Sequence, residues 1–320
     1  MLGTKTVLVL GSRGFIGRAV VGMLREAQHA VLEVDCLEPR VHPQDVSMPR
    51  RSMLSGVKCA DTPYTFLREA DIVIHLAAQV GVADSMVDPV RYVRDNTLDT
   101  AKFLHRLHDK CVPKKLVVAS SMSVYGDPHT DQPIDETTYA RPESVYGMTK
   151  LDQEQLCLMW GVQHGVPVTA LRFFNVYGPG QALHNPYTGV LANFANWILK
   201  GEQPVVYEDG LQTRDFIYVD DVADAVVQCA FRTRFKNHGM PFQIFNVCTG
   251  VPQTIAGIAT QMAVLLGKDI MPHITHTERP GDIRHCIGNN EALRHALPSW
   301  QPRTFTEGLE EYAAWLAQSS

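Results

Sequence analysis

The chain has 320 residues, 45 % of them hydrophobic and 20 % charged, the composition of a globular protein with one large domain or two closely packed ones. Its net charge of −5 disfavours a non-specific nucleic-acid or anionic-membrane surface, because either needs a basic excess, so neither is an expected partner. No apolar run reaches the roughly 20 residues of a membrane helix, and without a signal peptide the expected location is cytoplasmic.

Strands and helices alternate through the first 178 residues. The predicted elements, in chain order, are a strand at 6–11, a helix at 15–28, a strand at 30–35, a loop at 39–58, a strand at 71–78, a helix at 96–110, a strand at 114–121, a helix at 144–165 and a strand within 166–178. Beyond residue 178, prolines and glycines are frequent and the elements are shorter. These are a helix at 188–200, a strand at 204–208, a helix at 220–231, a strand at 243–247 and a helix at 306–318.

This alternation predicts an α/β fold with a doubly wound parallel sheet of the Rossmann type. The first domain is expected at 1–178, and a smaller mixed C-terminal portion at 179–320. The seven cysteines are odd in number and lack a CxxC spacing, so we predict free thiols. The histidine pairs in HRLH (105–108) and HITH (273–276) have no acidic or cysteine partners nearby, so no metal site is expected.

Three spaced glycines occupy the turn between the first strand and the first helix, in GSRGFIG (11–17). Gly11 permits the tight turn, Gly14 lets the backbone approach a pyrophosphate, and Gly17 lets helix and strand pack closely. The free N–H groups at the helix start attract phosphate. This context predicts a dinucleotide site, with Phe15 and Ile16 in the same turn also contacting the cofactor.

Asp35 closes the second strand, eighteen residues after Gly17. A carboxylate at this place accepts both ribose hydroxyls of NAD and repels the 2′-phosphate of NADP, so NAD is the predicted cofactor. Arg40 lies close enough in the chain to leave NADP open. An aspartate that only caps its turn is the alternative.

Tyr146 and Lys150 lie four residues apart on one face of a predicted helix, in YGMTK. A free tyrosine, with a pKa of about 10, is a poor base at neutral pH. We predict that the ammonium of Lys150 and the positive nicotinamide lower that pKa, so that Tyr146 takes a proton from a substrate hydroxyl. The alternative is a surface pair.

The combined motifs resemble those of the extended short-chain dehydrogenases/reductases, in the nucleotide-sugar epimerase and dehydratase branch. The resemblance runs from about residue 4 to 318. The matching stretches are GSRGFIG (11–17), HLAAQ (75–79), DNT (95–97), SSMSVYG (120–126), YGMTK (146–150), RFFNVYGPGQ (172–181), RDFIYVDDVADA (214–225), FNVCTG (245–250) and RPGDI (279–283).

The resemblance implies further cofactor contacts. Asp61 matches a position beside adenine, although a turn-capping role is equally open. Four residues match the backbone segment passing close to NAD: Leu76, Ala77, Ala78 and Gln79. Asn96 matches a helix residue near the active site, and Phe173 lies on the strand that leads to the nicotinamide. The cofactor domain is then expected at 1–178, with returning segments around 214–231 and 242–250, and the nucleotide-sugar portion at 179–320.

The resemblance also implies the catalytic and substrate residues. Ser121 matches the hydroxyl that binds the reacting sugar hydroxyl, completing a Ser-Tyr-Lys triad with Tyr146 and Lys150. Ser123 is assigned to the substrate pocket, with strand-end hydrogen bonding as its alternative. The remaining substrate assignments are Asn175, Arg214 and Arg279 at the diphosphate, Asp282 at the nucleotide ribose, and Cys286, whose small size leaves room for an N-acetyl group. Surface salt bridges are the alternative for the two arginine motifs.

The predicted reaction is epimerisation of a UDP- or dTDP-hexose at C4 through a 4-keto sugar. Met122 and Ser123 stand where related dehydratases carry an Asp-Glu acid and base, which disfavours 4,6-dehydration. A reductase, a decarboxylase or a non-catalytic NAD-sensing or partner-binding protein is the alternative. Relatives are commonly dimers, so a homodimer through helices near 96–110 and 145–162 is expected. Apolar surface for it would come from Met148, Leu151, Leu156, Leu158 and Met159, which core packing explains equally well.

Overall fold

The computed structural model describes residues 3–37, 53–107, 111–183, 189–232, 242–278 and 283–319. Seven strands form one parallel sheet in the spatial order β10-β6-β5-β4-β1-β2-β3. Their bounds are β1 Thr6–Leu10, β2 Ala30–Asp35, β3 Met53–Ser55, β4 Ile72–His75, β5 Lys115–Ser121, β6 Val168–Phe173 and β10 Phe242–Val247. The order reverses between β1 and β4, so the predicted doubly wound Rossmann-type fold is confirmed.

Both faces of this sheet are apolar, which explains why its strands are hydrophobic without alternation. Val7 and Val9 of β1 point into one core with helices α1 Phe15–Glu26 and α8 Val219–Phe231. Leu8 and Leu10 point to the opposite core. That second core is completed by helices α2 Tyr64–Glu69, α5 Asp99–Arg106 and α6 Val145–His164.

The remaining helices and strands flank these layers. Two short helices, α3 Val82–Val87 and α4 Pro89–Tyr92, precede a π-helical turn at Val93–Leu98 that leads into α5. A smaller sheet is built on β9 Thr213–Tyr218, which pairs with β7 Asn175–Tyr177, β11 Pro252–Thr254 and β13 His285–Cys286. Strands β8 Val205–Val206 and β12 His273–Ile274 pair with each other. Helices α7 Val190–Leu199, α9 Ile255–Leu265 and α11 Phe305–Ser319 enclose a third core, and α10 Glu291–Ala296 packs on the first.

Two differences from the predicted elements have physical causes. The loop expected at 39–58 contains β3, whose Leu54 pairs with Val34; three residues are too few to show a pattern. The rest of that loop, up to residue 52, lies outside the described residues. The strand β9 was not predicted because Arg214 and Asp215 interrupt its apolar run, yet both are buried in the smaller sheet.

None of the helices in the described ranges has both the length and the apolar character that a membrane-spanning segment requires.

Candidate functional site

A cleft of about 330 Å³ opens at the carboxyl ends of β1, β4, β5 and β6. This is the edge at which open α/β sheets bind ligands. The structure brings many of the sequence-predicted residues into its lining: Gly11, Gly14, Phe15, Ile16, Gly17, Leu76, Ala78, Ser121, Tyr146, Lys150, Phe173 and Asn175.

The glycine turn forms a tightly packed cradle. Gly11 has a φ of +79°, and a Cβ there would lie 2.7 Å from the backbone nitrogen of Ala77. A Cβ on Gly17 would collide with the carbonyl oxygen of Gly11. Any side chain would therefore push the turn away from β4 or from α1. The close approach leaves the N-terminus of α1 open toward the cleft, which fits a bound pyrophosphate.

Asp35 holds the shape of this turn. Its carboxylate accepts hydrogen bonds from the backbone N–H groups of Arg13 and Leu37, each at 2.8 Å, and the residue is 6 % exposed. The turn-capping interaction that the sequence left open is therefore present. Recognition of a ribose by the same carboxylate stays a prediction, and Arg40 lies outside the described residues.

The π-helical turn fixes the segment after β4. The carboxamide of Asn96 accepts from the backbone N–H of Gln79 at 2.7 Å and donates to its carbonyl at 3.1 Å. Asn96 is fully buried, so it acts by holding Gln79 rather than by facing the cleft. The Gln79 side chain donates to Asp95 and accepts from Arg91. Through these bonds the segment that carries Ala78 is held at the cleft, whereas Ala77 and Gln79 are not among the lining residues.

Ser121 and Tyr146 lie together at the end of β5 and the start of α6. The Ser121 hydroxyl lies 3.2 Å from that of Ser123 and accepts from the Ser123 backbone N–H. Burial raises the pKa of the Tyr146 phenol, and a hydrogen bond with Ser121 offsets part of the rise. The Tyr146 backbone N–H donates to the hydroxyl of Ser85, which fixes the first turn of α6.

The amine of Lys150 is bound by two acceptors of the protein. Its Nζ donates to the carbonyl of Ala119 at 2.7 Å and to the Gln153 carboxamide oxygen, and burial lowers its pKa to about 8. The pKa of Tyr146 is thus raised in the protein without NAD, and its predicted lowering by Lys150 together with the nicotinamide stays a prediction. Burial of the phenol sets the direction of this shift, and a bound nicotinamide cation would favour the phenolate.

The residues after Ser121 carry no acid or base. The sulfur of Met122 lies 3.1 Å from the Cys286 thiol, and both belong to a small apolar cluster with Tyr125 and Phe174. Cys286 is 2 % exposed and is not among the residues that line the cleft. Cys286 therefore packs in the core beside the cleft-lining Phe174, and its predicted role of leaving room for an N-acetyl group stays a prediction.

The predicted polar substrate contacts divide into three groups. Asn175 lines the cleft, and its Oδ1 is buried without a hydrogen-bond partner among the described residues, so it is available to a ligand. Arg214 is 9 % exposed on β9, donates to the Thr213 carbonyl and does not line this cleft. Arg279 and Asp282 lie outside the described residues.

Asp61, the predicted adenine contact of the cofactor, is exposed in a 3-10 turn, and its contact with adenine stays a prediction.

A buried ion pair beneath the active strand was not predicted. Glu154 accepts from Arg172 at 2.7 Å and from the Ser120 hydroxyl at 2.6 Å, and both charged side chains are nearly inaccessible. Arg172 also lies over the ring of Tyr125, whose hydroxyl donates to Asn246. One feature of the sequence could have indicated this ion pair. Glu154 follows Lys150 by four residues, which places it on the same inward face of α6.

The comparisons with known proteins decide the family. Residues 7–248 match the model of the NAD dependent epimerase/dehydratase family. The chain belongs to this family. The glycine cradle, Ser121, Tyr146 and Lys150 all occur within the matched segment.

Full-length relatives of this epimerase/dehydratase chain are similar throughout. It is 30 % identical over 356 aligned positions to a dTDP-L-rhamnose 4-epimerase of Burkholderia thailandensis, covering 98 % of this chain and 95 % of that one. Among solved structures, a UDP-N-acetylglucosamine 4-epimerase of Methanobrevibacter ruminantium superposes with a TM-score of 0.86 at 30 % identity, covering 100 % of both chains. A UDP-glucose 4-epimerase of Thermus thermophilus in complex with NAD superposes with a TM-score of 0.84 at 28 % identity, covering 98 % and 100 %.

The predicted extended short-chain dehydrogenase/reductase family and the predicted use of NAD are confirmed by these matches. The chain is thus an NAD-dependent enzyme. The cradle described above fits the cofactor, because its glycines let the turn pack closely against Ala77 while the start of α1 lines the cleft.

Proposed function

We propose that this enzyme epimerises the sugar of a UDP- or dTDP-hexose at C4. The observation that carries the proposal is the meeting of Ser121 and Tyr146 in one cleft with the glycine cradle, beside Met122 and Ser123 rather than an acid and base. The relatives named as 4-epimerases support the same reaction.

The chain's own residues then manage one proton. The Ser121 hydroxyl binds the C4 hydroxyl, and Tyr146 takes its proton and later returns it, which is general base and general acid catalysis in turn. When bound, NAD supplies the hydride acceptor and donor that make the oxidation of C4 reversible. Lys150 would bind the nicotinamide ribose through Nζ.

Anchoring of the substrate would fall to the polar residues that the sequence assigned to it. Asn175, which lines the cleft, would donate from its amide nitrogen to a diphosphate oxygen, while its unpartnered oxygen would accept from a substrate hydroxyl. Arg214 and Arg279 would balance the diphosphate charge, and Asp282 would accept from the nucleotide ribose. An anchored diphosphate lets the oxidised sugar turn and present its opposite face.

We also assign the cofactor residues and the domain division to this function. The glycine cradle would hold the pyrophosphate, Asp35 the ribose and Asp61 the adenine. The cofactor domain would comprise 1–178 with the segments around 214–231 and 242–250, since α8 and β10 pack within the Rossmann-type layers. Residues 179–320 would otherwise bind the nucleotide sugar.

The test is direct. Purified protein is incubated with UDP- and dTDP-hexoses. The sugars are separated by chromatography and identified by the proton NMR signal of the hydrogen on C4. We expect the C4 epimer to accumulate to equilibrium without net change in NAD. If no sugar of either series is inverted at C4, the proposal is wrong.

A 4,6-dehydratase is the first alternative. After oxidation at C4 it must remove the C5 proton and protonate the leaving C6 hydroxyl, and the thioether of Met122 can do neither. Ser123 is engaged with Ser121. A dehydratase would release water and give a 4-keto-6-deoxy product, which the same NMR assay distinguishes from an epimer. A reductase would change the NADH absorbance, and a decarboxylase would release carbon dioxide from a uronic acid sugar.

Assembly and location remain proposals. We propose a homodimer through α5 and α6, because Met148 and Met159 of α6 are exposed by 41 % and 66 %. Leu158, which the sequence assigned to this surface, is 4 % exposed and lies in the core. The cytoplasmic location stays a prediction.

A further inference from the structure

Gln153 joins the proposed catalytic lysine to the sheet. The residue is fully buried on α6, one turn after Lys150. Its carboxamide oxygen accepts from Lys150 Nζ, and its Nε2 lies 3.1 Å from the Ala77 carbonyl oxygen and 3.0 Å from the Thr100 hydroxyl. One side chain therefore links the lysine to the strand end that carries the predicted cofactor segment.

The chemistry of its partners fixes which way this carboxamide faces. An ammonium only donates and a backbone carbonyl only accepts, so the oxygen must face Lys150 and the amide nitrogen must face Ala77. The ring of His75, 3.1 Å from the same nitrogen, is consistent because burial lowers its pKa to about 3 and leaves it neutral. Rotating the carboxamide would oppose like groups on both sides.

We propose that Gln153 is a positioning residue, which holds the Lys150 ammonium charged and aimed for the nicotinamide ribose. The inference rests on the role proposed above for Lys150. Without Gln153, the Nζ would keep the Ala119 carbonyl as its protein acceptor in a fully buried setting. A polar oxygen at this point favours the charged form of the lysine, which burial opposes.

The charges around Lys150 are few among the described residues. Glu154 and Cys157 on α6 face it, and Glu154 is already bound by Arg172 from β6. His75 from β4 is neutral, and from the first turn of α6 the phenol of Tyr146 lines the same cleft. The Gln153 oxygen is thus a neutral acceptor beside Lys150, and the charge of the neighbouring Glu154 is already paired with Arg172.

The experiment measures the affinity for NAD⁺ between pH 6.5 and 9.5, by calorimetry and without sugar, for the wild type and two variants. Gln153→Met keeps the length of the side chain but removes the acceptor, so we expect NAD⁺ binding about tenfold weaker near pH 8. As the pH is raised, this variant should also lose its affinity at a lower pH than the wild type. Gln153→Glu places an anion beside the ammonium, so its alkaline loss should move to higher pH. Gln163→Met, on the exposed side of the same helix, is the control and should match the wild type.

Opposite displacements of the two variants support the inference, because a merely structural residue would not move the pH of binding in two directions. The inference is wrong if both variants fold and lose their NAD⁺ affinity at the same pH as the wild type. If Gln153→Met does not fold, the pH dependence of NAD⁺ affinity in Gln153→Glu decides the question alone. This readout does not depend on the proposed reaction, because NAD⁺ binding can be measured even in a protein that inverts no sugar. If the enzyme is an active epimerase but the pH at which NAD⁺ affinity is lost does not change in the variants, only this inference is rejected.

Discussion

The chemistry of the site depends on a few hydroxyl and amine groups whose neighbours set their state. Burial raises the pKa of Tyr146 and lowers that of Lys150 to about 8, so each resting group is held toward its neutral form. Ser121 partly offsets the rise at Tyr146. A base with a raised pKa needs a cation from the cofactor to work at neutral pH, which couples proton removal to the presence of NAD.

Replacing Tyr146 with Phe removes the proton acceptor while preserving the ring. We expect kcat to fall by about 10²–10⁴-fold, with binding of NAD⁺ within a few-fold of the wild type. Tyr139→Phe, at a tyrosine that is 83 % exposed, is the matched control. A protein that only senses NAD would bind its ligand equally in both variants and turn over no sugar in either, which would reject the catalytic role.

Lys115 offers a test of stability at the residue scale. Its side chain is buried in β5, where Nζ donates to Thr169 at 2.8 Å, and burial lowers its pKa to about 8. We expect Lys115→Met to raise the free energy of unfolding at pH 7 by about 1–3 kcal/mol, because a buried ammonium is costly to desolvate.

This gain should shrink as the pH rises. Above pH 8 the folded protein holds Lys115 neutral, whereas the unfolded chain stays protonated up to its ordinary value of 10.5. The unfolded wild type then binds more protons, so wild-type stability rises between pH 8 and 10 while the variant lacks this titration. Urea unfolding at pH 7, 8.5 and 10 measures the difference, with exposed Lys268→Met as control. A gain that is the same at all three values would contradict the assignment.

At the scale of elements, α6 carries most of the proposed chemistry on one face. The Ser144 hydroxyl caps its start by accepting from the Gly147 N–H at 3.0 Å, and Gly165 ends it in the left-handed conformation. Tyr146 and Lys150 face the cleft. The 3.6-residue repeat thus converts a spacing of four into adjacent side chains.

The helix end can be tested with two glycines that have open space around them. Gly165 has a φ of +66°, and nothing lies within 4 Å of a Cβ placed there, so Gly165→Ala would introduce backbone strain alone. We expect a loss of about 1 kcal/mol in the free energy of unfolding. Gly22 lies within α1 with equally open space, and Gly22→Ala should instead stabilise by about 0.5–1 kcal/mol. Chemical denaturation of both variants gives the comparison, and equal signs would contradict it.

At the scale of the whole molecule, strands far apart in sequence deliver their carboxyl ends to one cleft. Gly11 follows β1, Leu76 follows β4, Ser121 ends β5 and Phe173 ends β6. Parallel pairing makes this convergence unavoidable, because every strand of the sheet points the same way.

The proposed dimer is tested at the same scale. Met159→Glu would place a charge on the exposed face of α6, and across a two-fold axis the two charges would meet. We expect sedimentation velocity to give a dimer for the wild type and a predominantly monomeric variant. Met271→Glu, at a methionine exposed by 63 % and distant in sequence from α6, should remain dimeric. A monomeric wild type, or a dimeric Met159 variant, would contradict the assignment.

The sequence by itself determined the Rossmann-type sheet, the glycine cradle and the Tyr146–Lys150 pair, because each depends on local spacing. Buried parallel strands must be continuously apolar, a tight turn needs glycine, and residues four apart on a helix are neighbours. These regularities can be recognised without knowing what packs against them.

Only the tertiary structure decided where Lys150 points, that Gln153 holds it, and that Cys286 lies against Met122 in the core. These outcomes depend on contacts between residues up to 164 positions apart. The pKa of Tyr146, which burial raises, and the buried pairing of Glu154 with Arg172 likewise depend on the tertiary structure. Desolvation is a property of the assembled environment, so no spacing along the chain can reveal it.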